Sequence, residues 1–488
     1  VKRQFLGLAA VLGFAAILNA QETYGTWTNH RNVYLNTSAS GASVPGTVTN
    51  FPVLVRLTAK DSATFSQALA GGADIRFTLA GDVTRLKHQI DSWDAVARTA
   101  AIWVRVDSVR GNNRTQMIRM HWGKPGAADS SSGTAVFSNG FTNVWHLGNA
   151  AGVAARPNAI TGGNAATPVN FPGAYSAPVA LIGKGEYLRG GNGYSAGAPT
   201  ASLLNDYLDL GSITADYSQG FTVSLWIKQD VLGNNTAYFT ASETPAGTAT
   251  GGLIVFGGQG NEGALGAKMR QRNGTTGSNT GILNTDGSLG VVVGSWCHVL
   301  GTLNNSGDMA YYLNGVSVGS TSGITAYSSV TRPVNQLGTS LAHAQYVDSS
   351  FHGTLDEARL ANVGRSADWA KLEYENQKPA QTLVSFDTVP PASIGRSARM
   401  ASRPVLSARA RGREVTFQVS GIEAGGGLLS ISDMRGRTVW QAAFAPGSNL
   451  LVWDAVRAPS GIYMASARWM NAQGKPVKVL QAKVPLTR

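Results

Sequence analysis

A single cysteine in 488 residues, Cys297, rules out any intramolecular disulfide and any Cys-x-x-Cys zinc or redox motif. It sits between Trp296 and His298 in an alternating stretch, and a packed thiol is the expected reading. Charged residues make up only 14% of the chain, which with its many turn residues favours short strands over helices. Beyond the first twenty residues no run reaches the ~20 apolar positions that a membrane helix needs. The seven histidines (His30, His88, His121, His146, His298, His343 and His352) are scattered, and none lies three to five residues from another. That excludes the paired-histidine zinc motif. No phosphate loop is present either, since Gly183-Lys184 runs into Gly185 rather than Ser or Thr. Gly193-Tyr194-Ser195-Ala196-Gly197 fits a nucleophile elbow by letter. It lacks the strand before and the helix after that the elbow requires, and reads as a loop. The Glu-x-Asp-x-x-Glu spacing that sets two acids on one strand face is missing too. Asp356 and Glu357 are adjacent, so in a regular strand they point to opposite faces and cannot form a hydrolytic pair.

What is abundant is glycine, at 59 residues, spread among short alternating apolar stretches. This predicts an all-β chain. In Phe221 to Gln229, Phe221, Val223, Leu225 and Ile227 share one face and Thr222, Ser224, Trp226 and Lys228 the other. Ser295 to Ser320 reads as three antiparallel strands, with Asn314-Gly315 as a tight turn needing positive φ at both residues. In the first part of the chain Val53, Val55 and Leu57 share a face, as do Ile102, Val104 and Val106. Ser366 is an expected helix N-cap for 367–376, and Leu383 to Phe386 an expected return strand. The first twenty residues carry Lys2 and Arg3, an apolar run and a small residue before Gln21. They read as a secretory signal cleaved between Ala20 and Gln21. The net charge of +12 is concentrated at the other end, where residues 393–488 hold 14 Lys and Arg against 4 Asp and Glu. An excess confined to one terminal module does not point to nucleic acid. The expected layout is a signal at 1–20, a β-sandwich at 21–140, a second β module at 141–388, a linker at 389–404 and a terminal β-sandwich at 405–488.

Three resemblances fit this layout. Phe51-Pro52-Val53-Leu54-Val55, Gly72-Ala73-Asp74-Ile75-Arg76-Phe77, Trp93 and Ile102-Trp103-Val104-Arg105-Val106 resemble the bacterial domain of unknown function DUF2341, which implies no chemistry. Phe221 to Trp226, Trp296-Cys297-His298-Val299, Tyr312-Leu313-Asn314-Gly315 and Gly353-Thr354-Leu355-Asp356-Glu357-Ala358-Arg359 resemble the LamG-like branch of the concanavalin A-like lectins and glucanases. That implies a jelly roll, introduced by Phe141 to Leu147. Asp433-Met434-Arg435-Gly436-Arg437 and Ser460-Gly461-Ile462-Tyr463 resemble type IX secretion sorting modules and the flagellar-hook-capping Ig-like fold. They imply an address read by secretion machinery, or a surface anchor. The resemblances together imply a non-catalytic protein, secreted or on the outer cell surface, that binds polysaccharide or a surface glycan through its jelly roll. A structural or adhesive surface protein without sugar binding, and a divergent glycoside hydrolase, are the alternatives. Calcium is the one cofactor the resemblance leaves open. Asp356 is a candidate ligand, against a structural role in which it accepts backbone N–H groups; Arg156 stands where relatives usually carry an acid. Trp145, Trp226, Trp296 and Trp369 are candidates for stacking on sugar rings, with packing the expected reading for Trp226 and Trp296, and Tyr187, Tyr194, Tyr238 and Tyr346 are open as contacts.

Overall fold

The computed structural model describes residues 22–486 except 149–151, 174, 191–205, 232–235, 244–252, 260–265, 273–278, 285–289, 326–328, 340–349, 388–404, 412, 421–426, 445–448 and 471–475. The signal and its Ala20–Gln21 junction, the linker, Tyr194, Ser195 and Tyr346 therefore lie outside the described residues. Nearly all the regular structure is β, in two compact units, 1–390 and 391–488. Among the described residues no helix is long and apolar enough to cross a membrane.

The first unit holds two sandwiches. In the N-terminal one, a five-stranded sheet faces a three-stranded sheet of Val48–Leu57, Thr99–Val109 and His88–Asp94. Val33, Leu35, Phe77, Ile118 and Met120 from the first meet Phe51, Val53, Val55, Ile102 and Val104 from the second. The alternation read from the sequence sets this face. The opposite face is also buried: Leu54 and Trp103 pack with Val136, Phe137, Val144 and Ile182 from beyond the first sandwich. A strand apolar on both faces is a strand with a layer on either side.

The second sandwich pairs two larger sheets. The front sheet runs Glu186–Arg189, His352–Ala361, Gly220–Gln229, Trp296–Asn304, Met309–Leu313, Val316–Thr321, with Phe141–Trp145 also on His352–Ala361. The back sheet runs Asn279–Asn284, Gly266–Arg272, Leu253–Gln259, Ala237–Ser242, Val334–Leu337, Tyr207–Asp209, Thr167–Val169. Phe221, Val223, Leu225, Ile227 and Val299 meet Phe239, Ile254, Phe256 and Met269 in the core, and Cys297 is buried among them. The hairpin turn is as expected, with Asn314 at φ 51° and Gly315 at φ 74°. A Cβ on Gly315 would lie 3.0 Å from the Cα of Lys371, so the turn abuts a helix closely.

That helix, Ala367–Gln377, is capped by Ser366, whose hydroxyl accepts from the Trp369 N–H. It sits between the sandwiches. Trp369 meets Phe51 edge-on at 5.0 Å, while Gln377 accepts from Trp226 Nε1 at 2.6 Å. Val48–Leu57 is an edge strand, and Asn376 closes it by accepting from Leu54 N–H at 2.6 Å and donating to Leu54 C=O at 3.1 Å. Asn376→Ala strips both partners from a buried backbone unit, and an urea titration should show a loss of about 2–3 kcal/mol. The expected return strand differs from its reading in one respect. Val384–Phe386 pairs with Asn29–Leu35, in the sheet of the first sandwich, because the helix carries the chain back across the boundary.

The second unit is a sandwich of a three-stranded and a four-stranded antiparallel sheet. Val415, Phe417, Val419 and Trp453 face Leu429, Ile431, Ala465 and Trp469 in its core.

Candidate functional site

The acids singled out in the sequence stand at a bulge. Between His352–Ala361 and Gly220–Gln229 the register shifts: Asp356 pairs with Trp226 and Arg359 with Ser224, leaving two residues opposite Leu225. Glu357 takes φ 52° there. Leu355, Ala358 and Leu360 face the core, so Asp356, Glu357 and Arg359 all turn to the outer side. The expectation that Asp356 and Glu357 point apart is corrected by this one extra residue. Periodicity alone could not show it, since a bulge breaks the period it would be read from.

On that outer side the first sandwich and the helix close over an ion network. His146 Nδ1 lies 2.9 Å from Glu357 Oε1, and its Nε2 lies 3.2 Å from Gln89 Oε1 across the boundary. Arg359 donates to Glu357 at 2.8 Å and to Glu373 at 3.3 Å, with its guanidinium 4.3 Å from the centre of the Trp103 ring. Ser224 and Trp369 also donate to Glu373, each at 2.9 Å. Burial alone would raise the Glu373 pKa, but nearby His298 and Arg359 outweigh it and bring it to about 2. Burial likewise opposes ionisation of Glu357, and His146 and Arg359 win there too, lowering its pKa. For His146, burial disfavours the cation, yet Asp91 and Glu357 raise its pKa. Asp356 goes the other way: burial first, then the charge of Glu357, pushes its carboxyl well above the usual range. It accepts the Ile182 N–H at 2.8 Å. A carboxyl held towards its neutral form is a poor calcium ligand.

Among the described residues, Asp91, His146 and Glu357 bring three ligand atoms within 4.8 Å of one another. The donor types would suit a divalent cation, but the charge there is already balanced by Arg359 and by the proton that Asp91 and Glu357 favour on His146. The cluster reads as an ionic joint between sandwiches. It escaped the sequence because its members come from three distant strands or loops. The region where calcium was weighed has a similar answer. The Arg156 guanidinium, fully buried, pairs with Glu186 at 2.6 and 3.0 Å and donates to the carbonyls of Gly152 and Ala154. A carboxylate with carbonyl oxygens is the kind of donor set that calcium takes; here an internal cation fills it.

The tryptophans are engaged in packing to different degrees. Trp145 is fully buried and donates to Asn164 C=O at 2.8 Å; Trp226 and Trp369 are buried at the helix, and Trp296 is half-buried. Tyr238 is buried and donates to Gln229, and Tyr187 is half-buried with its hydroxyl 3.0 Å from His352 Nε2. The front sheet's outer face thus carries the ion network and the helix, and the back sheet remains. Its core-facing row is Leu208, Leu337, Phe239, Phe256 and Met269. The next position along each strand faces outward, which places Tyr207, Asp209, Gln336, Thr240 and Arg270 on the outer face. Thr240, at the centre of this row, is fully buried and donates to Thr339 C=O, whereas Tyr207, Asp209 and Gln336 at one side and Arg270 at the other are half-buried.

Residues 201–371 match the family model of the concanavalin A-like lectin/glucanases superfamily, and residues 71–144 match that of the domain of unknown function DUF2341. No curated protein matches the chain. Among solved structures, domain 4 of the GH43 extracellular arabinanase AbnA from Geobacillus stearothermophilus, in complex with arabinotriose, is similar at 17% identity and TM-score 0.34. That match covers 47% of this chain and 96% of the other. A SAP-like pentraxin from Limulus polyphemus is similar at 17% identity and TM-score 0.24, over 33% of this chain and 70% of the other. Trypanosoma rangeli sialidase is similar at 14% identity and TM-score 0.29, over 51% of this chain and 35% of the other. The chain therefore carries a concanavalin A-like domain preceded by a DUF2341 domain.

Proposed function

We infer that this is an exported, non-catalytic glycan-binding protein whose lectin-like sandwich offers the outer face of its back sheet to a polysaccharide, the first sandwich serving as a fixed support. The observation that carries the reading is the contrast between the front sheet's outer face and the half-buried Tyr207, Asp209 and Gln336 at one side of the back sheet. The front sheet's outer face is covered by the helix and the first sandwich, and its acids are tied up in the network or held neutral. At one side of the back sheet's outer face the phenol of Tyr207, the carboxylate of Asp209 and the amide of Gln336 stand on adjacent strands, a mixture suited to sugar hydroxyls and ring faces. Hydrolysis would need two carboxyls facing an open cleft, one free to give a proton. Asp356, Glu357 and Glu373 are each no more than 2% exposed.

The test is a panel of soluble polysaccharides, with and without a chelator, assayed for binding and for reducing-end release. Tyr207→Ala should weaken binding about 3- to 10-fold, an aromatic contact being worth ~0.5–1.5 kcal/mol. Chelation should leave binding unchanged. Release of reducing ends by the wild type would overturn the non-catalytic reading. Binding that ignores both Tyr207→Ala and Gln336→Ala would move the ligand off this face.

A further inference from the structure

The second unit has a groove of its own. The turn from Asp433 to Arg437 and the segment from Asp454 to Tyr463 enclose about 740 Å³ at one end of the terminal sandwich. Met434, Arg435, Arg437, Trp440, Arg457 and Ile462 line it. Met434 is 70% exposed and Ile462 50% exposed, and Val439 beside them is exposed too, so the groove offers apolar side chains as well as cations. Trp440 lies over Phe417 at 6.3 Å with the rings 20° apart, which backs the indole on one side with the core.

The groove holds two carboxylates, and both are engaged in turns. Asp433 accepts from the N–H groups of Arg435 and Arg437 at 3.0 and 2.9 Å and from Arg437 Nε at 3.1 Å. Asp454 accepts from Val456 N–H at 3.0 Å. Arg435 and Arg457 are exposed, and among the described residues neither forms an ion pair. The groove is therefore cationic over an apolar floor. Its backbone is largely self-satisfied: Gly436 N–H donates to Asp433 C=O, Asp433 N–H to Arg437 C=O, Ala458 N–H to Ala455 C=O, and the Tyr463 hydroxyl to Pro459 C=O. A peptide that reads main chain would find few partners in these turns. A ligand read by guanidinium groups and one aromatic face fits better.

We propose that this groove binds an acidic polysaccharide, a chain of uronic acid residues whose carboxylates pair with Arg435 and Arg457 while a sugar ring lies against Trp440. Guanidinium groups match carboxylates in two-point geometry, and the flat indole suits the apolar face of a pyranose. This site is separate from the back-sheet face, and either can fail without the other.

The experiment measures binding of the full chain to polygalacturonate at about 0.15 M salt, where diffuse attraction is largely screened. Arg435→Glu/Arg457→Glu should lower affinity more than tenfold with an unchanged circular dichroism spectrum, and Trp440→Ala should lower it about 3- to 10-fold. The methyl-esterified polymer should bind more than tenfold more weakly than the acid. A control of equal charge away from the groove, Arg409→Glu/Arg468→Glu, should retain binding. Equal losses in the control would reduce the effect to net charge and overturn the proposal. So would equal binding of the methyl ester, or polyglutamate competing as well as polygalacturonate, which would make the occupant a peptide.

Discussion

Arg359→Met lowers the stability of the first unit by about 3–5 kcal/mol in urea unfolding, the cost of removing one partner from a buried ion pair. The loss arises from what stays behind. Glu357 and Glu373 are 1% and 2% exposed, and Arg359 is the guanidinium that reaches both, at 2.8 and 3.3 Å. Methionine roughly fills the aliphatic volume but leaves two carboxylates facing each other across the vacated position. Glu357 keeps His146, and Glu373 keeps Ser224 and Trp369, so the fold is strained rather than abolished. Arg359→Met/Glu373→Gln should regain part of the loss, since one stranded charge is then gone. That recovery separates the charge from the cation over Trp103, which both variants lack. A loss below about 1 kcal/mol in Arg359→Met would mean that water reaches the network, and the picture of a closed joint between the sandwiches would fall.

Local features were legible in the sequence wherever one side chain and its near neighbours decide the backbone. Asn314-Gly315 makes the tight hairpin because both tolerate positive φ, and Ser366 caps its helix through the Trp369 N–H. The inner faces of Gly220–Gln229 and Val48–Leu57 follow their alternation. The positions that alternation assigned to the polar side were harder. Thr222, Ser224 and Trp226 look like a solvent face, yet the structure buries all three. What covers them arrives from Glu373 and Gln377, some 150 residues later. The candidate site shares this origin. Gln89, Asp91, His146, Glu357, Arg359 and Glu373 carry no common motif, and only the packing of one sandwich on the other brings them together. A single positive φ at Glu357 then decides which side the acids face.

The other large effect is with pH. Stability of the first unit should begin to fall as pH drops below about 6.5, well above the range where carboxylates titrate. Two histidines cause this. His88 is lowered to about 3, first by burial and then by the charges of Arg76 and Arg85, which outweigh Asp129. His121 is lowered to about 4 by burial, with His30 and Arg119 adding to the effect and Asp82 opposing it. In the unfolded chain both take up protons near pH 6.5, while in the fold they stay neutral. The unfolded state thus binds more protons between about 6.5 and 4, and stability falls as pH falls, by about 1.4 kcal/mol per pH unit for each histidine. Together they should remove about 4–5 kcal/mol between pH 6.5 and 4.5. His146 has the opposite sign, but its raised pKa adds stability that is complete below 6.5 and is lost only as pH rises through the folded value, so it leaves the fall below 6.5 unchanged. Asp356, raised by burial and then by Glu357, gains stability as pH falls through its folded value and opposes the histidines. Glu373, lowered to about 2, contributes stability that is lost only below about 4.5, at the acid end. Neither His88 ring nitrogen has a hydrogen-bond partner among the described residues, and the ring lies 5.8 Å from Phe77. His88→Leu should therefore fold and remove about half of the slope between pH 6.5 and 4.5, measured by urea unfolding at half-unit steps. A wild-type curve flat down to pH 4.5, or a slope that His88→Leu leaves intact, would place the acid sensitivity elsewhere.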